Sequence, residues 1–256
     1  MNKIENNNVD PLFDVRGKTY LIAGAAGGIG SVLARALFDR GARLVLFDID
    51  PDALARVGES LPDALLQVGD MNDQQSLSEL MRVIEDRFGN LDGAVNAAGL
   101  LPIAAAATFD EAVFRQCIDV NLTAAFLFSR TVAEHMGDGG GRIVHIASVS
   151  SFVSNAEYAA YASSKAGLAQ LIRVLAREWA PKNILVNAIG PALTETPLTA
   201  DYLSEPTFRR HAIAAIPMGR LGEADDLTGT LLLLLSPGGG FITGQTIYVD
   251  GGRTLV

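Results

Sequence analysis

Cysteine is nearly absent. One residue, Cys117, stands among 256, so the chain carries no internal disulfide framework. Histidine is almost as scarce: His135, His145 and His211 are spread over 77 positions. That spacing offers no metal-ligand cluster, and no metal site is expected. Positive charge is in deficit, with 20 Lys and Arg against 29 Asp and Glu and a net charge of −9. A nucleic-acid backbone needs clustered basic residues, so that class of partner is excluded, although one small anionic ligand is not. Long apolar runs are missing as well. The run "LLLLL" at 231–235 is far below the ~20 residues of a membrane span. The opening "MNKIENNNVD" lacks the apolar segment of a signal peptide. These absences point to a cytoplasmic protein with no membrane partner, its residues 1–14 forming a flexible polar tail.

What is present is a large apolar fraction, 49% of the residues against 19% charged, enough to fill a substantial core. Seven short β-rich runs read as strands: "KTYLIA" (18–23), "ARLVLF" (42–47), "ALLQV" (64–68), "LDGAVNA" (91–97), "GRIVHIAS" (141–148), "NILVNAI" (183–189) and "QTIYVD" (245–250). Their nearly continuous apolarity fits strands covered on both faces, as in a parallel sheet. Helical patterns lie between them, the first, "GSVLARALFDRG", closing on Gly41. Repeated β–α alternation predicts a single doubly wound α/β domain over 15–256, with a seven-stranded parallel sheet and helices on both faces. Residues 191–222, rich in Pro, Thr and Gly, read as a late loop and short-helix excursion, the usual place for a substrate lid.

The first strand runs into "AGAAGGIG", with Gly24, Gly28 and Gly30 at the turn into a helix. Glycines there let the backbone approach a pyrophosphate at the positive helix N-terminus. The G-x-x-x-G-x-G spacing also fits an ordinary tight turn. Asp48, in "LVLFDID", ends the second strand 18 residues beyond Gly30. A carboxylate there binds both ribose hydroxyls of an adenosine and repels a 2′-phosphate. No Lys or Arg stands at 25–29 or 49–51 to neutralise such a phosphate, so NAD is favoured over NADP. A solvated loop acid or helix cap is the plainer account of Asp48, and S-adenosylmethionine is a rival ligand for such a fold.

Farther on come "VNAAG" (95–99), Asn121 in "DVNLTAAF", "HIASVSS" with Ser148, and "YASSK" with Tyr161 and Lys165. Together with the glycine turn, Pro191, Thr196 and the ending "VDGG" (249–252), these resemble the short-chain dehydrogenase/reductase family in order and spacing. The likeness runs from Arg16 to the C-terminus. Two positions depart from the family pattern, Ala23 for a threonine and Ala192 for a glycine; neither removes a proton-transfer group. The resemblance implies a Rossmann-type fold and an NAD-dependent oxidation of CH–OH groups. It makes Tyr161 the general acid/base and gives Lys165 the tasks of lowering the tyrosine pKa and holding the nicotinamide ribose. Ser148 is to hydrogen-bond the substrate oxygen, and Asn121 to support a water that relays protons to Lys165. Along the cofactor it places Gly24, Gly28, Ile29, Gly30, Asp48, Ile49, Asp70, Met71, Asn96, Ala98, Gly99, Tyr161, Lys165, Pro191, Thr194 and Thr196.

Elementary chemistry accounts for the tyrosine–lysine pair. A phenol titrates near ~10 when unperturbed, too high for an efficient base at neutral pH, and an ammonium nearby lowers it. Tyr161 and Lys165, four apart on a helix, share a face with ~6 Å of rise between them. Tyr158, seven positions before Lys165, would sit about 10.5 Å away along the helix, so it lines the entrance or packs. His145 reads as a packed core histidine, His135 as a helix-end residue and Cys117 as a small buried hydrophobe.

A methyltransferase has no use for Ser148, Tyr161 and Lys165 at these intervals, and a catalytically silent relative would have lost the tyrosine or lysine. The segments "VSSFVSNAE", "LLPIAAA" and "LTETPLTADYLSEPTFRR" are amphipathic, unlike a uniformly apolar steroid pocket. The C-terminal third is similar to enzymes acting on sugar acids and polyols, such as gluconate 5-dehydrogenases, and also to 3-oxoacyl-carrier-protein reductases. A 3-oxoacyl-thioester reductase is therefore the alternative to a sugar-acid or polyol dehydrogenase. The helical stretches 109–136 and 156–180 are apolar around much of their circumference, as helices buried on more than one side are, and family habit makes a homotetramer the expected assembly.

Overall fold

The computed structural model describes residues 10–256. The polar tail expected over 1–14 lies largely outside the described residues. Its last part, Pro11–Phe13, forms a 3-10 turn capped by Asp10 and lies against the turn Pro237–Gly239.

Seven strands form one parallel sheet: β1 (Thr19–Ala23), β2 (Arg43–Asp48), β3 (Leu65–Val68), β4 (Gly93–Asn96), β5 (Gly141–Ile146), β6 (Ile184–Pro191) and β7 (Thr246–Val249). Their order across the sheet is β3-β2-β1-β4-β5-β6-β7. The chain therefore winds outward in one direction from β1 to β3, then returns and winds the other way from β4. The helices crossing between strands are α1 (Gly28–Phe38), α2 (Pro51–Glu59), α3 (Gln74–Phe88), α4 (Glu111–Ile118), α5 (Ala124–Glu134), α6 (Ala159–Trp179) and α9 (Thr228–Leu235). The excursion over 191–222, expected to be a lid, holds α7 (Pro197–Leu203) and α8 (Pro206–Ala214).

Both sheet faces are covered, which is why the central strands read as unbroken apolar runs. In β1 successive side chains point to opposite faces. Leu21 and Ala23 join Phe47, Leu77, Phe128, Ile143 and Val186 on the side of α3, α5 and α6. Tyr20 and Ile22 join Leu33, Leu37, Leu46, Val95, Val144 and Leu231 on the side of α1, α2 and α9. Many helices start where the sequence supplies a cap: Asp50, Asp73 and Asp110 accept the first amides of α2, α3 and α4.

Two local readings are corrected. The stretch 109–136 is helical from Glu111 to Glu134 but not evenly α-helical, because a π-helical turn, Asp119–Thr123, lies between α4 and α5. That turn carries Asn121, consistent with the habit of π turns to sit at functional positions. Tyr158 is not helical; it is the residue before α6, with φ −98° and ψ 24°, so the rise of a helix does not fix its distance from the lysine.

Candidate active site

Where strand order reverses, between β1 and β4, the following loops diverge and leave a crevice at the carboxyl ends of the strands. The glycine turn forms one lip. Gly24 has φ +70°, and a Cβ there would lie 2.5 Å from the Ala98 amide nitrogen, so the loops after β1 and β4 touch through bare backbone. A Cβ on Gly28 would come within 2.8 Å of Thr196 and Pro197 at the start of the lid. Gly30 is spent inside the turn, 2.1 Å from the Gly24 carbonyl oxygen by the same construction.

Two cavities meet over this crevice. The larger, about 1070 Å³, is lined by Gly24, Gly28, Ile29, Asp48, Ile49, Asp70, Met71, Ala98, Gly99 and Thr196, among others. The backbone cradle and the carboxylate at the end of β2 fit an adenine dinucleotide: Asp48 Oδ2 accepts from Ala26 N at 2.8 Å and Oδ1 from Asp50 N at 3.1 Å, which fixes the acid beside the turn. One basic side chain, Arg115, shares this cavity. The sequence offered no signal for it; its guanidinium is paired with Glu111 at 2.6 Å.

The smaller cavity, about 440 Å³, is lined by Ser148, Tyr158, Tyr161, Lys165, Pro191 and Thr194, with apolar walls from Leu101, Val149, Leu193, Phe208 and Ile216. Ile29, Ala97, Ala98, Gly99, Thr196 and Leu198 line both cavities, so the two form one cleft. Lys165 is buried and its Nζ donates to the Ile146 carbonyl at 2.8 Å. The same nitrogen lies 5.7 Å from the centre of the Tyr161 ring. Burial pushes the lysine down to about 8 and the Tyr161 phenol up to about 12, while a hydrogen bond with the Ser148 side chain works in the opposite direction on the phenol. The expected lowering of the tyrosine by Lys165 is thus not seen in the protein by itself: burial dominates, and the ammonium contacts the ring rather than a phenolate. Tyr158 packs edge-on to Tyr161, ring centres 6.0 Å apart.

Three residues assigned to the site do not line the cleft but shape it. Gly30 is one. Asn96 is buried; its Oδ1 accepts from Ala98 N at 3.1 Å and its Nδ2 lies 3.4 Å from His145 Nδ1. His145 is held on its other side by Ser129 at 2.9 Å, and burial drives it down to about 3: a packed core histidine that braces the loop after β4. Asn121 is the third. Its Oδ1 accepts from Leu100 N at 2.8 Å, and its Nδ2 donates to Leu100 O at 2.9 Å and Ser164 Oγ at 3.0 Å, so both ends of the amide are engaged within the protein. Cys117 is fully buried against that amide. His135 ends α5, its Nδ1 2.8 Å from the Thr131 carbonyl. Among the described residues no three His, Cys, Asp or Glu side chains gather as for a metal ion, and no helix is long and apolar enough to cross a membrane.

Residues 24–254 match the model of the family described as Enoyl-(Acyl carrier protein) reductase. The chain belongs to the short-chain dehydrogenase/reductase family. This short-chain dehydrogenase/reductase is 31% identical over 252 residues to the NAD-dependent glycerol dehydrogenase of Listeria innocua, covering 96% of this chain and 97% of that protein. It is 33% identical over 246 residues to the 3-oxoacyl-acyl-carrier-protein reductase of Thermotoga maritima, covering 94% and 99%. It superimposes on the crystal structure of a gluconate 5-dehydrogenase from Burkholderia cenocepacia in complex with NADP and tartrate with a TM-score of 0.91, at 31% identity over 96% of this chain and 98% of that one. As a member of the family it is an oxidoreductase of CH–OH groups that uses a nicotinamide cofactor.

For such an oxidoreductase the cleft holds residues that pattern reading did not place there. His211 and Arg253 line the smaller cavity, one from the lid and one from beyond β7. Tyr202 of α7 donates its hydroxyl to the Leu101 carbonyl at 3.0 Å, tying the lid to the loop after β4. The excursion closes on itself through a bridge between Thr194 and Gly222.

Proposed function

We propose that the protein is an NAD(H)-dependent dehydrogenase that interconverts a secondary alcohol and a ketone on a small polyhydroxylated substrate, a sugar acid or a polyol. The observation that carries this reading is the meeting of Ser148, Tyr161 and Lys165 in the smaller cavity, beside the loop Ala97–Gly99 that also floors the larger one.

The cofactor supplies the hydride acceptor and donor at its nicotinamide. The residues of the chain supply the rest. Ser148 holds the substrate oxygen. Tyr161 Oη, as the phenolate, takes the hydroxyl proton during oxidation, and as the phenol it gives a proton back during reduction. With the phenol pushed up to about 12, Tyr161 is protonated at neutral pH, ready to donate to a ketone. Its use as a base calls for Lys165 in its charged form, and Lys165 at about 8 is close enough to neutrality to pass a proton onward. Asn121 fixes Leu100 and Ser164 on the side from which a water serves Lys165. Gly24, Gly28 and Ile29 take the pyrophosphate, Asp48 and Ile49 the adenosine ribose, and Asp70 and Met71 the adenine. Ala98, Gly99, Pro191, Thr194 and Thr196 flank the nicotinamide half, and Asn96 and Gly30 hold the loops in shape.

NAD is preferred because Asp48 and three further acids, Asp50, Asp70 and Asp119, line the adenosine cavity, while Arg115 is already paired. A 2′-phosphate placed there meets net negative charge. Assembly as a homotetramer, and a cytoplasmic location, complete the proposal; Phe126 of α5 and Val174 of α6 are exposed on helices suited to subunit contacts. A second reading, reduction of a 3-oxoacyl thioester, is favoured by the apolar walls of the smaller cavity. Initial rates of the purified protein with NAD and NADP separate the two. The panel is aldonates, alditols and simple secondary alcohols, run beside a 3-oxoacyl thioester in the reductive direction. Turnover of aldonates or alditols with NAD supports the proposal; turnover confined to the thioester with NADPH replaces it.

A further inference from the structure

In a chain of net charge −9, the smaller cavity has no acidic lining residue among the described residues, yet it has two strong bases, Lys165 and Arg253. Lys165 is accounted for by Tyr161 and the Ile146 carbonyl. Arg253 is not. It follows β7, in the sequence "VDGGRT", and nothing in the chemistry of hydride and proton transfer calls for it.

The local sequence explains how it is aimed. The Asp250 carboxylate clasps the turn that follows it: Oδ1 accepts from Gly252 N at 2.9 Å, and Oδ2 accepts from Thr254 N and Thr254 Oγ1, both at 2.8 Å. This makes Arg253–Leu255 a 3-10 turn. The same turn is fastened to the far end of the lid, where Met218 N donates to Gly251 O at 3.0 Å. Arg253 is thereby carried to the cavity on a rigid support. Its Nη2 donates to Asn155 Oδ1 at 3.0 Å and its Nη1 to Val256 O at 3.0 Å, and the Asn155 amide nitrogen makes no hydrogen bond to another described residue. Asn155 lines the cavity too, as does His211. Two of the five guanidinium N–H donors are spent on Asn155 and Val256; the others, beside the free Asn155 amide and in a cavity with no Asp or Glu in its lining, are suited to a carboxylate, which accepts several charge-assisted hydrogen bonds.

We propose that Arg253, with Asn155, anchors the carboxylate of the substrate and so selects a hydroxy or keto acid over a neutral polyol. This rests on the dehydrogenase reading of the same cleft and narrows its substrate class. The carboxylate then sits at the Arg253 end, and the carbon that is oxidised lies toward Ser148 and Tyr161.

The test compares Arg253→Met, Arg253→Lys and the unaltered enzyme on D-gluconate and on D-glucitol, an acid and a neutral alcohol of similar chain length. The expected result is a fall of about 10- to 100-fold in the gluconate-to-glucitol ratio of kcat/KM for Arg253→Met, carried by KM, with partial recovery in Arg253→Lys. An unchanged ratio, or an equal loss on both substrates, overturns the carboxylate anchor while leaving the dehydrogenase reading in place. If neither compound is turned over, that reading falls, and binding decides the anchor alone. L-Tartrate added with NADH is then expected to raise the melting temperature of the unaltered protein and not that of Arg253→Met. No shift in the unaltered protein, or the same shift in both, overturns it.

Discussion

The two halves of the cleft are built on different principles. The larger cavity is made mainly of backbone: a glycine turn, the loop Ala97–Gly99 and the ends of β2 and β3, with its charge supplied by Asp48, Asp50, Asp70 and Asp119. The smaller is made mainly of side chains brought from β5 and the loop after it, α6, β6, the 191–222 segment and the turn after β7, set against the loop after β4, with apolar walls and, apart from two tyrosines, only basic ionisable groups. A backbone-built site binds what many relatives bind, because its shape follows from the fold. A site assembled from distant side chains changes its ligand with a few substitutions. The contrast in charge sorts the ligands as well: a ribose, neutral and rich in hydroxyls, on the acidic side, and an electron-rich substrate on the basic side.

The largest effect is expected where the side-chain half depends on one proton. Tyr161→Phe keeps the ring against Tyr158 and deletes the transferable proton, and loss of general acid–base catalysis costs about 10²–10⁴-fold in kcat. NADH binding, followed by fluorescence, is expected to remain. Tyr158→Phe is expected to keep most of its kcat. The reverse pattern in steady-state rates would dissolve the distinction between the two tyrosines. On the backbone half the proposal rests on one carboxylate: the unaltered enzyme is expected to favour NAD over NADP by at least about tenfold in kcat/KM, and Asp48→Ser with Ile49→Arg to move that preference toward NADP. Equal use of both cofactors by the unaltered protein would remove Asp48 from its role. The smallest effect concerns the support behind both halves. His145 binds its proton at about 3 in the fold and near 6.5 when unfolded. As pH falls below 6.5 the unfolded state takes up that proton first, so stability is lost progressively down to about pH 3. Between pH 7 and pH 5 this amounts to about 2 kcal/mol. Urea melts of His145→Gln are expected to show a shallower loss over the same interval; parallel curves would mean that the buried imidazole contributes nothing.

The backbone half was also the legible half. Glycine spacing, an acid at a strand end and strict strand–helix alternation are local in sequence, and seven parallel strands in one sheet follow from them. The Tyr161–Lys165 spacing was legible for the same reason, since four residues of helix fix it. Asn121 lies behind the cleft, its amide spent on Leu100 and Ser164, and the π turn around it was not foreseen: "DVNLTAAF" continues a helical pattern on both sides, and nothing in its composition marks the wider turn. Arg253 and His211 were missed because each reaches the cleft through tertiary packing, over separations that no periodicity encodes. The signal available for Arg253 was the "VDGGRT" segment, in which Asp250 has two backbone amides within reach. The tyrosine pKa went the other way from expectation because burial, absent from any sequence pattern, outweighs the hydrogen bond with Ser148 that pulls it down.

The π turn at Asp119–Thr123 also sets the phase of everything joined through it. A wider turn carries a residue in excess of the α-helical count, and each helical residue turns the chain by about 100°. The wider turn takes five residues through nearly the angle that four take in an α-helix, so the excess residue is absorbed locally and α4 and α5 keep their phase across it. Cys117 thus stays buried beside Ser164 and Asn121 stays on Leu100, while α5 holds the sheet. Adding a second residue there, with no further widening to absorb it, would instead turn α4 against α5 by about 100°. The segment works as an expansion joint: it carries one residue more than the helix needs without disturbing what lies on either side.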